Sequence, residues 1–318
     1  MTTRYGITIP FDGVTLPEHR QWFTDLADLG YTDVWTAEVD GLDGFTPLTL
    51  AAAWEPRLSL GLAVAPVYTR GAGLLAMTCA AMGEVAGDRA YIGLGASSLP
   101  VVQRWNGIPY EEPFKRTRDT LRFVKRALAG EKIDEEFATF TIKGFKLSRP
   151  VTTPPKILLG ALRSRMLQLA GEEADGAILN WLSAEDVKKC VAEVGSGKTI
   201  AARLFVVPTE DEGLARMVAR RMISSYLTVP GYAAFHRWLG REEILTPMWD
   251  AWAAGDRKLA NELIPDEVCD DLIIHGSYEQ CRAHVQRFLD NGVSIPTLAI
   301  VNVGGDLRTH VEGLAPRK

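Results

Sequence analysis

Short apolar runs alternate with amphipathic stretches along the whole chain, and that alternation predicts repeated units of β-strand followed by α-helix. Eight runs read as strands: Tyr5 to Phe11, Asp33 to Ala37, Leu58 to Val64, Ala90 to Gly95, Lys156 to Gly160, Ala177 to Asn180, Thr199 to Val207 and Pro296 to Val301. Most are apolar throughout, as in Ile157-Leu158-Leu159, rather than alternating. Strands apolar on both sides belong to a parallel sheet covered on both faces, which argues against an antiparallel sandwich. Eight such units in 318 residues predict an α/β fold, a (β/α)8 TIM barrel with helical insertions, as one domain over residues 1–318.

The helices carry their own punctuation. Thr15 and Glu18 have capping-box spacing, Trp22, Leu26 and Leu29 recur on one face, and Gly30 supplies a stop. Near the end, Ser277 and Gln280 open a helix whose apolar stripe is Cys281, Val285, Phe288 and Leu289, and Gly292 closes it. Two connections exceed ordinary barrel loops. The first, 104–153, holds one helix near Phe114 to Leu128 and a hairpin-like stretch from Phe137 to Leu147. The second, 209–275, reads as several helices bearing Tyr226, Tyr232, Phe235, Trp238, Trp249 and Trp252. For each of these aromatics, packing against the barrel is weighed above lining a substrate lid.

Composition narrows the setting. Hydrophobic residues at 47% and charged residues at 24% suit an ordinary globular core. A net charge of -5 without a basic run speaks against nucleic acid as a partner. Met1 to Ile9 enters strand-like alternation directly, so no signal peptide is expected, and no apolar run approaches membrane-spanning length. Cys79, Cys190, Cys269 and Cys281 form no C-x-x-C pair, which suits reduced thiols in a cytoplasm, and the five histidines show no metal-ligand spacing.

Barrel enzymes place chemistry at the carboxyl ends of the strands, which selects Asp12, Glu38, Asp40, Ala63 to Ala65, Ala96 to Ser98, Gly160 to Arg163, Asn180, Trp181 and Asn302. Gly160 to Arg165 runs from a strand into a helix, bringing two arginines to a helix amino terminus that attracts anions; a plain tight turn explains the same spacing. Ile92-Gly93-Leu94-Gly95-Ala96-Ser97-Ser98 lacks the third glycine of a dinucleotide fingerprint, and its small residues suit a strand end that a cofactor passes closely. Glu38 and Asp40 can pair as general acid and orienter, or be helix caps and solvated loop groups.

At these residues the chain resembles the bacterial luciferase-like superfamily, in particular its coenzyme F420-dependent oxidoreductases. Pro155 to Leu162, Arg163 to Leu167 and Leu169 to Gly176 look like the family's P-x-x-x-G-A-L-x-x-x-M-L-x-L-A-G-E-x-A-D-G block. Val64 to Arg70, Ile92 to Ser97 and Arg104 to Gly107 are further matches. The resemblance implies a cis peptide at Ala63-Val64 backing the deazaflavin ring. It also implies that the coenzyme's phosphate and tail lie at Gly160, Ala161, Leu162 and Arg163, with Ala96, Ser97 and Ser98 on its other side and Asn180 and Trp181 facing the pocket. Arg163, Arg165 and Arg70 are available counter-charges for the tail. Where the related glucose-6-phosphate dehydrogenases have aspartate followed by a catalytic histidine, this chain has Glu38 and Val39, and Ser98 stands at their second acid, which speaks against sugar phosphate oxidation. The expectation is hydride transfer between F420 and a small organic molecule by a homodimer, with Glu38 and Asp40 as catalytic candidates. An FMN-dependent monooxygenase and a barrel that binds a phosphorylated ligand without turnover are the alternatives.

Overall fold

The computed structural model describes residues 4–317, so the first three residues of the Met1 to Ile9 run lie outside it. Eight parallel strands close into a barrel: β1 Gly6–Thr8, β2 Asp33–Thr36, β3 Ser59–Pro66, β4 Ala90–Gly95, β5 Lys156–Gly160, β6 Gly176–Asn180, β7 Thr199–Val207 and β8 Ile295–Ile300. Each pairs with the next, and Gly6 beside Thr297 returns β1 to β8. A short strand, Ile274–His275, extends the sheet beside the end of β7.

Helices cover the outside, and their apolar faces merge with the outward side chains of the strands into one large core. A smaller cluster fills the interior around Trp35, Tyr91, Leu158, Ile178, Ala201 and Ile295. Trp35 is 1% exposed, and its indole occupies space that other strands leave open by having glycine: a Cβ at Gly61 would lie 2.1 Å from the ring. This filling at the level of the lower strands leaves the carboxyl ends for a site. Among the described residues no helix is long and apolar enough to cross a membrane.

The helix opened by Ser277 has the full reciprocal capping box with Gln280. The box expected at Thr15 is only half made. Glu18 accepts from both the Thr15 amide (2.8 Å) and its hydroxyl (2.5 Å), so that hydroxyl is spent as a donor. The helix itself starts at His19 after a turn. Trp22 is only partly buried, and Phe23 and Leu26 form the inner stripe.

Between β4 and β5 lie a wide helical turn, Pro100–Trp105, a helix, Pro113–Leu128, and a hairpin. Its strands are Ile133–Glu136 and Thr141–Phe145, so the expected hairpin at Phe137 to Leu147 is displaced: Phe137 and Phe140 sit in the turn and pack edge-on against Phe123. Between β7 and β8, helices span Glu212–Leu227, Pro230–Leu239, Glu242–Ala253, Arg257–Glu262 and Asp266–Leu272. They share a second apolar core with Trp181 and Phe205.

Candidate active site at the carboxyl ends of the strands

The pairing of β3 with β4 jumps from Leu62 opposite Ile92 to Ala65 opposite Leu94, and the Ala63–Val64 peptide within this bulge is cis, as the resemblance implied. The bulge turns Val64 onto three glycines of neighbouring strands. An added Cβ would lie 2.5 Å from a Val64 methyl at Gly95, 3.0 Å at Gly93 and 3.1 Å at Gly160. At Gly93 it would also meet Leu62 O at 2.5 Å. Gly93 and Gly95 are therefore small to receive Val64, a packing reason that the sequence pattern of Ile92 to Ser98 did not reveal. Beyond the strand end, Ala96, Ser97 and Ser98 are half-buried. Ser97 holds φ at 61°, uncommon for a residue with a side chain, and its carbonyl accepts from the Tyr110 hydroxyl at 3.2 Å.

From β5 the chain passes through Gly160, Ala161, Leu162 and Arg163 into the helix Ser164–Glu173. The Ala161 amide is used by Ile178 O at 3.1 Å. Arg163 is in extended geometry before the first turn, and no side chain caps that turn. The first amides of a helix have no partner within it, so this end offers donors and a positive dipole end. Arg163 is exposed, whereas the Arg165 guanidinium lies 4.0 Å over the Phe114 ring.

Glu38 follows β2 and is largely enclosed. The Arg70 guanidinium donates to it from Nε (2.9 Å) and from its terminal nitrogen, and the Gly44 amide adds a bond of 2.9 Å. Arg70 also lies 4.6 Å over Phe45. The expectation of Arg70 as a free counter-charge is thus corrected, because it closes a clamp between the loops after β2 and β3. Both Glu38 oxygens are engaged, and Asp40 is exposed. Asp12 is exposed as well, and Asn302 folds back on its own loop, accepting from the Gly304 amide at 2.9 Å.

At the end of β6, the Asn180 amide donates to the Tyr232 hydroxyl (3.1 Å) and its carbonyl accepts from the Trp181 amide (3.1 Å). Burial pushes the Tyr232 hydroxyl up to about 12, so it stays neutral. Trp181 holds φ at 56° and packs tilted against Phe205 and Tyr226, with ring centroids 4.4 Å and 4.8 Å away. Of the insertion's six aromatics, Tyr226 and Tyr232 thus reach a strand end, Phe235 is core with Trp238 stacked on it, and Arg237 and Arg257 cover Trp249 and Trp252.

Sequence reasoning missed Arg203. It stands in the middle of β7, in register with Asn180 and Thr297, and lines a small interior cavity with Thr8, Trp35, Ala63 and Thr297. The signal was available: in Thr199 to Val207 the inward series Ala201, Arg203, Phe205 holds one charge among apolar neighbours.

Three proteins illustrate what the chain is similar to. It is 26% identical over 304 residues to 5,10-methylenetetrahydromethanopterin reductase of Methanolobus tindarius, covering 91% of this chain and 92% of that one. A Mycobacterium tuberculosis protein provisionally named a coenzyme F420-dependent oxidoreductase is 26% identical over 333 residues, covering 95% of each. The solved structure of the coenzyme F420-dependent tetrahydromethanopterin reductase of Methanopyrus kandleri superposes with a TM-score of 0.78 over 98% of this chain and 97% of that one, at 19% identity. The sequence pattern of the luciferase-like monooxygenase family matches residues 3–294, and the chain belongs to that family.

Proposed function

We propose that this protein is a coenzyme F420-dependent oxidoreductase that moves a hydride between the deazaflavin and a small organic substrate. The carrying observation is one set of features on the neighbouring strands β3, β4 and β5: the Val64 bulge, the half-buried loop Ala96 to Ser98, and the uncapped helix start beside the exposed Arg163. These residues fit a flat ring with an anionic tail. Val64 would back the ring, the amides of Leu162 and Arg163 would hold phosphate, and the Arg163 side chain would meet the tail's carboxylates. When bound, the coenzyme supplies the carbon that gives or takes the hydride. Asn180, oriented by Tyr232, faces the pocket as a hydrogen-bonding group. Glu38 acts as a positioning residue through Arg70, and Asp40 is left as the proton-handling candidate of that loop.

The provisional name of the mycobacterial relative supports F420 over FMN. Fluorescence titration of the purified protein with each coenzyme tests the choice. F420 is expected to bind at least tenfold tighter than FMN, and Arg163→Ala to weaken F420 several-fold. Tighter FMN binding would replace the reading with a monooxygenase. Binding without oxidation of reduced F420 across enones, nitro compounds and imines, and without its reduction by alcohols, would leave a carrier barrel. The proposal includes a cytoplasmic setting and a homodimer, for which the exposed Leu74, Met77 and Val85 on the helix Ala72–Ala86 provide an apolar stripe.

A further inference from the structure

Among the described residues, Arg203 is a cation inside the barrel with no carboxylate beside it. Among the described residues its Nε is enclosed and unpartnered, and the charged-group neighbours it feels are the hydroxyls of Tyr226 and Tyr232, with no carboxylate among them. Burial lowers its pKa from the ordinary value. Its guanidinium lies 4.9 Å over the Phe205 ring, which steadies the plane without neutralising the charge. The acids at the two ends of β2 are committed elsewhere: Glu38 to Arg70, and Asp33 to Arg4.

Three more enclosed polar atoms lack partners, and all line the same cavity: Trp35 Nε1, Thr8 Oγ1 and Thr297 Oγ1. Indole and guanidinium nitrogens only donate, and the threonine hydroxyls can also donate. Such a set is missing an acceptor, and unpaired buried polar groups are rare unless something fills them. Their placement decides what the acceptor belongs to. The residues proposed to hold the coenzyme lie on β3 to β6, whereas Thr8, Trp35, Arg203 and Thr297 lie on β1, β2, β7 and β8. Ala63, at the bulge, and Ile178 on β6 bring the two halves together at the cavity. The cavity therefore meets the ring's proposed site at the bulge and has room for about one small polar group, such as the end of a carboxylate.

We infer that Arg203, with Trp35 Nε1, Thr8 and Thr297, is the anion-receiving subsite of the substrate pocket and that the substrate carries a carboxylate. One guanidinium matches one negative charge, and its planar fork matches two carboxylate oxygens. A phosphate dianion would bring a second charge for which the cavity has no cation. This assignment rests on the reading that the reaction takes place at the β3 bulge.

Crotonate, benzoate and pyruvate, each against its own amide, are the probes, titrated calorimetrically into the protein with and without F420. At least one carboxylate is expected to bind tenfold or more tightly than its amide, to lose that preference in Arg203→Met, and to regain part of it in Arg203→Lys. F420 affinity should be unchanged in Arg203→Met. Because the charge is unpaired in the free protein, its removal is expected to hold or raise Tm. Equal binding of every acid and amide would overturn the inference, as would tighter binding of inorganic phosphate. A lower Tm in Arg203→Met together with unchanged carboxylate binding would make Arg203 structural, and a loss of F420 affinity would assign it to the coenzyme. Failure of the wild-type protein to bind F420 would instead remove the functional reading, and the carboxylate preference would stand or fall by itself.

Discussion

Glu38 shows how a residue's chemistry is decided by its neighbours. The carboxylate has the position expected of a proton donor, yet Arg70 and the Gly44 amide use its oxygens. A pair with side chains only 12% and 19% exposed is weakly screened by solvent, and removing one partner strands the other. Glu38→Gln is expected to lower stability by roughly 1–3 kcal/mol, and a double-mutant cycle with Arg70→Gln to show coupling of about 1–2 kcal/mol in urea unfolding. If Glu38 positions rather than donates, Glu38→Gln raises KM or coenzyme Kd while the pH profile of kcat keeps its shape. An acidic limb that disappears from that profile would restore the acid role. The position of Glu38 was legible because strand ends can be counted from apolar runs. Its partner was not, since Arg70 lies 32 residues away and nothing in the spacing ties the two together.

At the scale of elements, legibility followed how much of an element's surface is buried. Strands apolar on both sides, such as β4 and the run Ile157 to Leu159 of β5, end where their runs end. The hairpin strand Ile133–Glu136 buries only Ile133, so its three acidic residues hid it, while the apolar Phe137 and Phe140 that drew attention serve the turn. The insertion helix Pro230–Leu239 is joined to the end of β6 through His236, whose Nε2 lies 3.0 Å from Trp181 O. Burial depresses this imidazole to about 4, so it is neutral in the folded chain, whereas an unfolded histidine titrates near 6.5. Below pH 6.5 the unfolded chain then binds more protons, and stability falls as pH drops toward 4 and is flat above 6.5. The loss from His236 amounts to roughly 3 kcal/mol across that window. His284, also held down to about 4 by burial, adds in the same sense. Melts between pH 5 and 7, above the range where carboxylates titrate, should show the slope, and His236→Gln should reduce it by about half. An unchanged slope in the variant would place the proton uptake elsewhere.

For the whole molecule, the remaining question is what covers the outside of the barrel. Four buried cysteines and the apolar faces of most helices are accounted for by the two large cores. The helix Ala72–Ala86 differs: Leu75, Ala76, Cys79 and Met82 face inward, while Leu74, Met77 and Val85 lie on the opposite side at 48%, 52% and 47% exposure. Spaced three and eight residues apart from Leu74 to Val85, they form a stripe along one helix face rather than scattered single residues. Glu84, beside Val85, forms an exposed ion pair with Arg149 at 2.8 Å and supplies a polar rim to the stripe. A second copy brought against this face would bury the stripe on both sides at once, as a two-fold interface requires. Met77→Glu places a charge in its middle at a position 52% exposed, on the side of the helix away from the core, so folding should be unaffected. Sedimentation velocity is expected to show a dimer for the wild-type chain and a shift to monomer at micromolar concentration for the variant, with the same melting cooperativity. A wild-type monomer, or a variant that stays dimeric, would move the interface away from this helix. Because Ala72–Ala86 follows the β3 loop that carries Arg70, a dimer formed here would also stiffen the Glu38–Arg70 clamp, and Met77→Glu should then weaken coenzyme binding in parallel with the loss of dimer.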